Sequence, residues 1–169
     1  MAEQATSRPT RRQLSLFVPE AQRILLEQIR KRLDPIQHAL IPAHVTLCRD
    51  DELPDLQELI LRLERLAPFL ISMKFERPEE LPDGCVLLRP SSGTEEFRAL
   101  RHAILGASAR DYKAHLTLLH PRNATGTLHN LESIDRELSG LTVTFSTASL
   151  IEQWGSNPWQ VVAAYGSAI

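Results

Sequence analysis

Two tetrapeptides carry the side chains best suited to moving protons: His44-Val45-Thr46-Leu47 and His115-Leu116-Thr117-Leu118. Each sits in an apolar segment too short for a helix and reads as a buried strand, in which successive side chains face opposite ways. An imidazole and a hydroxyl about 6.5–7 Å apart then share one face, and two core residues share the other. Breaking a phosphodiester without a metal needs one group to take a proton from the attacking oxygen and another to protonate the leaving oxygen. Histidine, with an ordinary pKa of about 6.5, can do either at neutral pH, and each well-placed acid or base contributes about 10²–10⁴-fold. A threonine hydroxyl two residues on can donate to a non-bridging phosphate oxygen as its charge grows.

The elements that must position these groups recur in the same order. Residues 13–18 alternate, with Leu14, Leu16 and Val18 on one face of a strand. Residues 20–33 have helical spacing, with Ala21, Leu25, Ile29 and Leu33 inward, and Asp34-Pro35 ends the run. A strand at 43–48 follows, then a helix at 55–66 on Leu56, Leu59, Ile60 and Leu63. A strand at 69–76 directs Phe69, Ile71, Met73 and Phe75 one way. Residues 77–84, rich in proline and acid, read as a linker. Beyond it come a strand at 85–89, a helix at 94–105 on Phe97, Leu100 and Ile104, and a strand at 114–119. A helix at 127–138 on Leu128, Leu131, Ile134 and Leu138 precedes strands at 141–151 and 159–165, joined by the turn Gly155-Ser156-Asn157-Pro158.

Strand–helix–strand–helix–strand thus occurs twice, and the copies superpose at an offset of 71, from His44 to His115. Two copies of that length do not make a solenoid. The expected fold is α+β: two pseudo-symmetric lobes, about 13–76 and 85–152, around a central cleft. The strand at 159–165 completes a single bilobal domain, 13–169, behind a polar tail at 1–12 expected to be disordered.

Composition narrows the function classes. The 169 residues are 43% hydrophobic and 24% charged, enough to bury a sizeable core. A formal net charge of −2 lacks the basic field of proteins that coat nucleic acid, although a nucleotide or an RNA end could occupy a local pocket. Cys48 and Cys85 show no metal or disulfide spacing, which points to a reducing compartment. The first ten residues hold no apolar leader and no run approaches the ~20 apolar residues of a membrane span. A cytoplasmic monomer without membrane contact is expected.

The paired tetrapeptides, with their lobe order and spacing from about residue 13 to 165, resemble the two-histidine (2H) phosphoesterase superfamily, which includes the 2′-5′ RNA ligase-like proteins and cyclic phosphodiesterases. The resemblance implies His44 and His115 as the acid/base pair, with His115 as base and His44 as acid in hydrolysis, and Thr46 and Thr117 as phosphate ligands. It implies no metal and no organic cofactor. The implied substrates are 2′,3′-cyclic nucleotides, RNA ends bearing a cyclic phosphate, or related sugar cyclic phosphates. Two alternatives remain open: a binding module that holds a nucleotide phosphate without turnover, and ligation of RNA ends through a 2′-5′ bond.

Other side chains have plainer readings. Arg49 and Arg122 follow the two motifs and are candidate substrate contacts, as is Tyr112, which could stack on a base. Trp154 could do the same, whereas Trp159, alternating with Val161 and Ala163, reads as core. His120 alternates away from His115, so packing or a turn hydrogen bond is expected. His38, His102 and His129 read as structural or solvated. His115, His120 and Cys48 lack any metal-ligand spacing.

Overall fold

The computed structural model describes residues 10–166. The first copy comprises β1 (Arg11–Phe17), α1 (Glu20–Leu33), α2 (Pro35–Leu40), β2 (His44–Cys48), α3 (Leu56–Glu64) and β3 (Ile71–Lys74). The short β4 (Glu79–Glu80) precedes the second copy: β5 (Val86–Leu88), α4 (Thr94–Leu105), β6 (Leu116–Leu119), α5 (Leu131–Leu138) and β7 (Thr142–Phe145). A hairpin of β8 (Thr147–Gln153) and β9 (Gln160–Gly166) closes the chain. The fold is α+β, as expected.

Seven strands form one antiparallel sheet in the order β4-β5-β6-β2-β1-β8-β9, and β3 pairs with β7 in a separate ribbon. The pseudo-two-fold runs between β2 and β6, where Val45 pairs with Leu116. Around it the copies interlock. Helix α1 packs on β6 of the other copy and α4 on β2; α1 touches α5 and α4 touches α3. Val45, Leu47, Leu116 and Leu118 are sealed in the core, together with Ile29, Ile104, Met73 and Val143. Burying a side chain of this size contributes about 1.5–3 kcal/mol, so these residues pin the faces of both central strands. The opposite faces, with both His-Thr pairs, are left open. Gly93, at φ 78°, admits α4 close to β3: a Cβ there would lie 2.5 Å from the Ser72 carbonyl oxygen.

Several expectations are corrected. Residues 11 and 12 open β1 instead of belonging to a tail; residues 1–9 of that tail lie outside the described residues. The 77–84 segment is no free linker, since β4 pairs with β5 and extends the sheet edge. Asp34-Pro35 ends α1 but also starts α2: the Asp34 carboxylate accepts the Gln37 N–H (2.9 Å) and Pro35 occupies the first turn, where its missing N–H costs nothing. The inward face of α1 is Leu26 and Ile29; Leu25 is 39% exposed. Helix α5 begins four residues late because Asn130 caps the Ser133 N–H (3.0 Å), leaving Leu128 92% exposed. The expected 141–151 strand breaks at Ser146 and changes sheets, β7 to the ribbon and β8 to β1. Strand β9 is an edge with Val161 and Val162 in solvent, so Trp159 is not core.

Candidate active site

Antiparallel pairing of Val45 with Leu116 fixes the neighbours on either side: His44 lies beside Thr117, and Thr46 beside His115. Directly opposed residues have Cβ atoms about 4.5–5.5 Å apart, so each histidine meets the threonine of the other copy. All four side chains line one cavity of about 510 Å³. Thr46 is also opposite Ser15 on β1, and Gln13 Nε2 reaches both hydroxyls, at 2.8 Å to Ser15 and 3.4 Å to Thr46. Accepting from Gln13 leaves the Thr46 proton free for an anion.

The two rings are held in the same way. His44 Nδ1 lies 2.8 Å from the Pro42 carbonyl and His115 Nδ1 lies 3.0 Å from the Lys113 carbonyl. A carbonyl only accepts, so Nδ1 carries the hydrogen and Nε2 of each neutral ring is a lone pair or a site for one further proton. Each ring also rests on an aromatic neighbour, Phe17 for His44 (5.9 Å) and Tyr112 for His115 (5.8 Å). Burial pushes the His44 pKa down to about 4, with the buried Arg30 guanidinium and His115 adding to the effect. Burial also lowers His115, helped by Arg89 and Arg49. Both shifts favour neutral rings at pH 7.

Five cations line the cavity, Arg11, Arg30, Arg89, Lys113 and Arg122, against one carboxylate, Asp83. In a chain of net charge −2 this concentration of positive charge gives the cavity a field of its own. Arg30 pairs with Glu27 (2.8 Å) and Arg89 with Glu79 (3.2 Å), whereas Arg11, Lys113 and Arg122 have no carboxylate partner among the described residues. Cys85 also lines the cavity, but burial pushes its thiol up to about 11 and that of Cys48 to about 12, so neither offers a thiolate near neutrality. No group of three or more metal-ligating side chains occurs among the described residues.

The structure brings together His44, His115, Thr46, Thr117 and Arg122 of the residues singled out from the sequence, and leaves three outside: Arg49, Tyr112 and the exposed Trp154. Arg49 is exposed and faces Asp51 (3.7 Å). Tyr112 stands behind His115 rather than in the cavity. His120 makes the expected turn hydrogen bond, its Nδ1 accepting the Arg122 N–H (3.1 Å), and it also lines the cavity. The contributors missed include Arg11, Gln13, Arg30, Arg89, Lys113 and Trp159. One had left a signal. The offset of 71 superposes Arg30 on Arg101, and both are buried arginines on the inward sides of α1 and α4. Arg11 lay in the supposed tail, and Trp159 was hidden by an alternation that only an edge strand explains.

A duplicated α+β sheet whose open central face carries two His-x-Thr pairs over a basic cavity defines a two-histidine phosphoesterase-like protein. The profile of the 2′-5′ RNA ligase superfamily matches residues 17–157, and the chain belongs to that superfamily. In fold it is similar to E. coli LigT complexed with ATP, at 17% identity and a TM-score of 0.65, over 94% of this chain and 98% of that one. LigT complexed with 3′-AMP gives 16% and 0.66 over the same shares. A protein described only as a phosphoesterase gives 13% and 0.60, over 93% and 98%. No curated protein sequence matches the chain. No helix among the described residues is long and apolar enough to cross a membrane.

Proposed function

We propose that the chain opens 2′,3′-cyclic phosphates at a nucleotide or RNA end by general acid/base catalysis between His44 and His115. The observation that carries the reading is the crossed placement of two imidazoles, each with Nε2 free and each beside the other strand's threonine, on one face of paired strands. Water attacks phosphorus and gives its proton to Nε2 of one ring. The bond from phosphorus to one ribose oxygen breaks, and that oxygen takes the proton from Nε2 of the other ring. Thr46 and Thr117 donate to the non-bridging oxygens, and the flanking cations attract the anion. One proton has moved between the rings, and solvent exchange resets them. No step requires a metal.

The superfamily resemblance assigns proton removal to His115 and donation to His44 in this direction. Placing sulfur at the departing oxygen separates the roles, because a thiolate leaves without an acid. Such a substrate should rescue His44→Ala and not His115→Ala; rescue of the reverse pattern would exchange the roles. Ligation through a 2′-5′ bond is the same path run backwards and needs no further residue.

The reaction is tested by incubating the protein with EDTA and 2′,3′-cyclic nucleotides and following phosphorus resonances. Monoester product is expected. Saturable binding with unchanged substrate would make the chain a binding module and overturn the proposal.

A further inference from the structure

We propose that His120 is a third histidine of the cavity with the opposite part to play: a neutral donor whose Nε2–H holds a phosphoryl oxygen of the substrate and takes no share in proton transfer. The proposal rests on the reading that a phosphate occupies the cavity beside His44 and His115.

Three imidazoles line the cavity, and their hydrogen bonds divide them. His44 and His115 each turn Nδ1 to a carbonyl, so Nδ1 carries the hydrogen and Nε2 is the basic atom. His120 Nδ1 faces the Arg122 N–H instead, at 3.1 Å. A backbone N–H only donates, so this Nδ1 is the acceptor and the one hydrogen of the neutral ring sits on Nε2. Protonating Nδ1 would set two hydrogens against each other and cost the turn its bond. Burial opposes a charged ring as well, with Arg122 and Arg11 adding to the effect and Asp34 and Asp83 working against it. With Nδ1 taken up by its own turn, Nε2–H is the one polar group that the side chain has left for a ligand, and it meets no acceptor among the described residues.

The turn that carries His120 is itself tied down. Asp34 Oδ2 accepts the His120 N–H (2.9 Å), while Oδ1 accepts the Asn123 side chain (2.8 Å) and the Gln37 N–H (2.9 Å). The ring is thus set against the start of α2 before any ligand arrives, which lowers the ordering cost of binding. Arg122, on the same turn, lines the cavity without a carboxylate partner among the described residues, so an anionic acceptor is favoured over a neutral one. The first copy has no counterpart. The offset of 71 superposes Arg49 on His120, and Arg49 is exposed outside the cavity, facing Asp51 at 3.7 Å. A donor on one side only breaks the two-fold symmetry of the floor, so an asymmetric phosphate ester is favoured in one of its two orientations.

Two variants separate holding the turn from holding the anion. His120→Asn keeps an oxygen where Nδ1 accepts the Arg122 N–H but does not reach as far as Nε2; His120→Gln returns an amide nitrogen to that place. Affinity for inorganic phosphate should fall about ten- to hundredfold in His120→Asn and largely return in His120→Gln, with both urea midpoints little changed. Unaltered affinity in His120→Asn would overturn the proposal. In the unchanged protein at pH 7, NMR of the ring nitrogens should find the His120 hydrogen on Nε2, its resonance moving as phosphate binds. A hydrogen on His120 Nδ1, or a His120 signal that stays still while His44 and His115 respond, would contradict the donor role. Should His120→Asn fail to fold, these two signals decide. With a cyclic nucleotide, kcat/KM of His120→Asn should fall by a factor similar to that for phosphate and keep both limbs of its pH bell. Loss of one limb would make His120 an acid or a base. Phosphate affinity needs no turnover, so absent hydrolysis counts against the proposed reaction and not against this inference.

Discussion

The two halves of the cavity floor share a backbone and differ in what surrounds it. In both, a histidine precedes a core residue and donates from Nδ1 to the carbonyl two positions back. His44, however, lies against apolar Phe17, and burial, with the Arg30 guanidinium adding to it, drives its pKa down to about 4. His115 lies against a phenol and is also lowered by burial, with Arg89 and Arg49 contributing. The turns that follow diverge too. After β2, Glu52 grips Arg101 in a buried ion pair. After β6, the turn is held by Asp34, which accepts the His120 N–H (2.9 Å) and the Asn123 side chain (2.8 Å). Arg30 and Arg101 hold equivalent helical positions, yet one faces the cavity and the other clamps a turn. The repeated pattern fixes where the imidazoles stand, and the residues around them give the two rings different surroundings.

The comparison is broken most completely by removing either ring. His44→Ala and His115→Ala should each lower kcat/KM by at least ~10²-fold, and the double variant should be little worse than either single one. Multiplicative losses would mean that the rings act independently. The turn clamps come next. Glu52→Ala leaves the Arg101 charge buried and unpaired and should cost about 3–5 kcal/mol of stability, read as a lowered urea midpoint. Asn123→Ala, its counterpart at the same offset, removes a hydrogen bond to a carboxylate and should cost only about 1.5–3 kcal/mol. Equal losses would erase the difference between the two halves.

The subtlest signature lies in pH. In the proposed reaction the productive free protein has one ring protonated and one neutral, and both rings are lowered below 6.5, so the bell of kcat/KM should peak on the acid side of that value. The rate falls at higher pH as the remaining proton leaves. It falls again near pH 4, where both rings are charged. These are properties of the pair rather than of either residue. A bound anion favours the charged rings, so the kcat profile should sit at higher pH than that of kcat/KM. A maximum above 7 in kcat/KM would contradict the low proton affinities.

Much of this arrangement was legible before any coordinates. The duplicated pattern, the two strands and the α+β class follow from period-2 and period-3.6 spacing, because Val45, Leu47, Leu116 and Leu118 leave their neighbours only one face. The crossed pairing was not legible, since register across β2 and β6 depends on how α1 and α4 exchange between the copies. Asp34 illustrates a local limit: one residue ends α1, caps α2 and holds a turn 86 positions away, and its type and the proline after it can announce only the first two. Arg11 and Trp159 enter the cavity because β8 and β9 extend the sheet beside β1, placing Arg11 opposite Gln153. Tyr112 was read as a possible stacking surface; its neighbours put it behind the site.

The claim beneath all of this is that two imidazoles from the two halves meet one anion. NMR of histidine ring nitrogens during titration with inorganic phosphate tests it most directly. Nε2 of His44 and of His115 should shift together along a single binding curve of one phosphate per chain, and His44→Ala should weaken the response of His115. Response of one ring alone, or two curves with separate dissociation constants, would contradict the account.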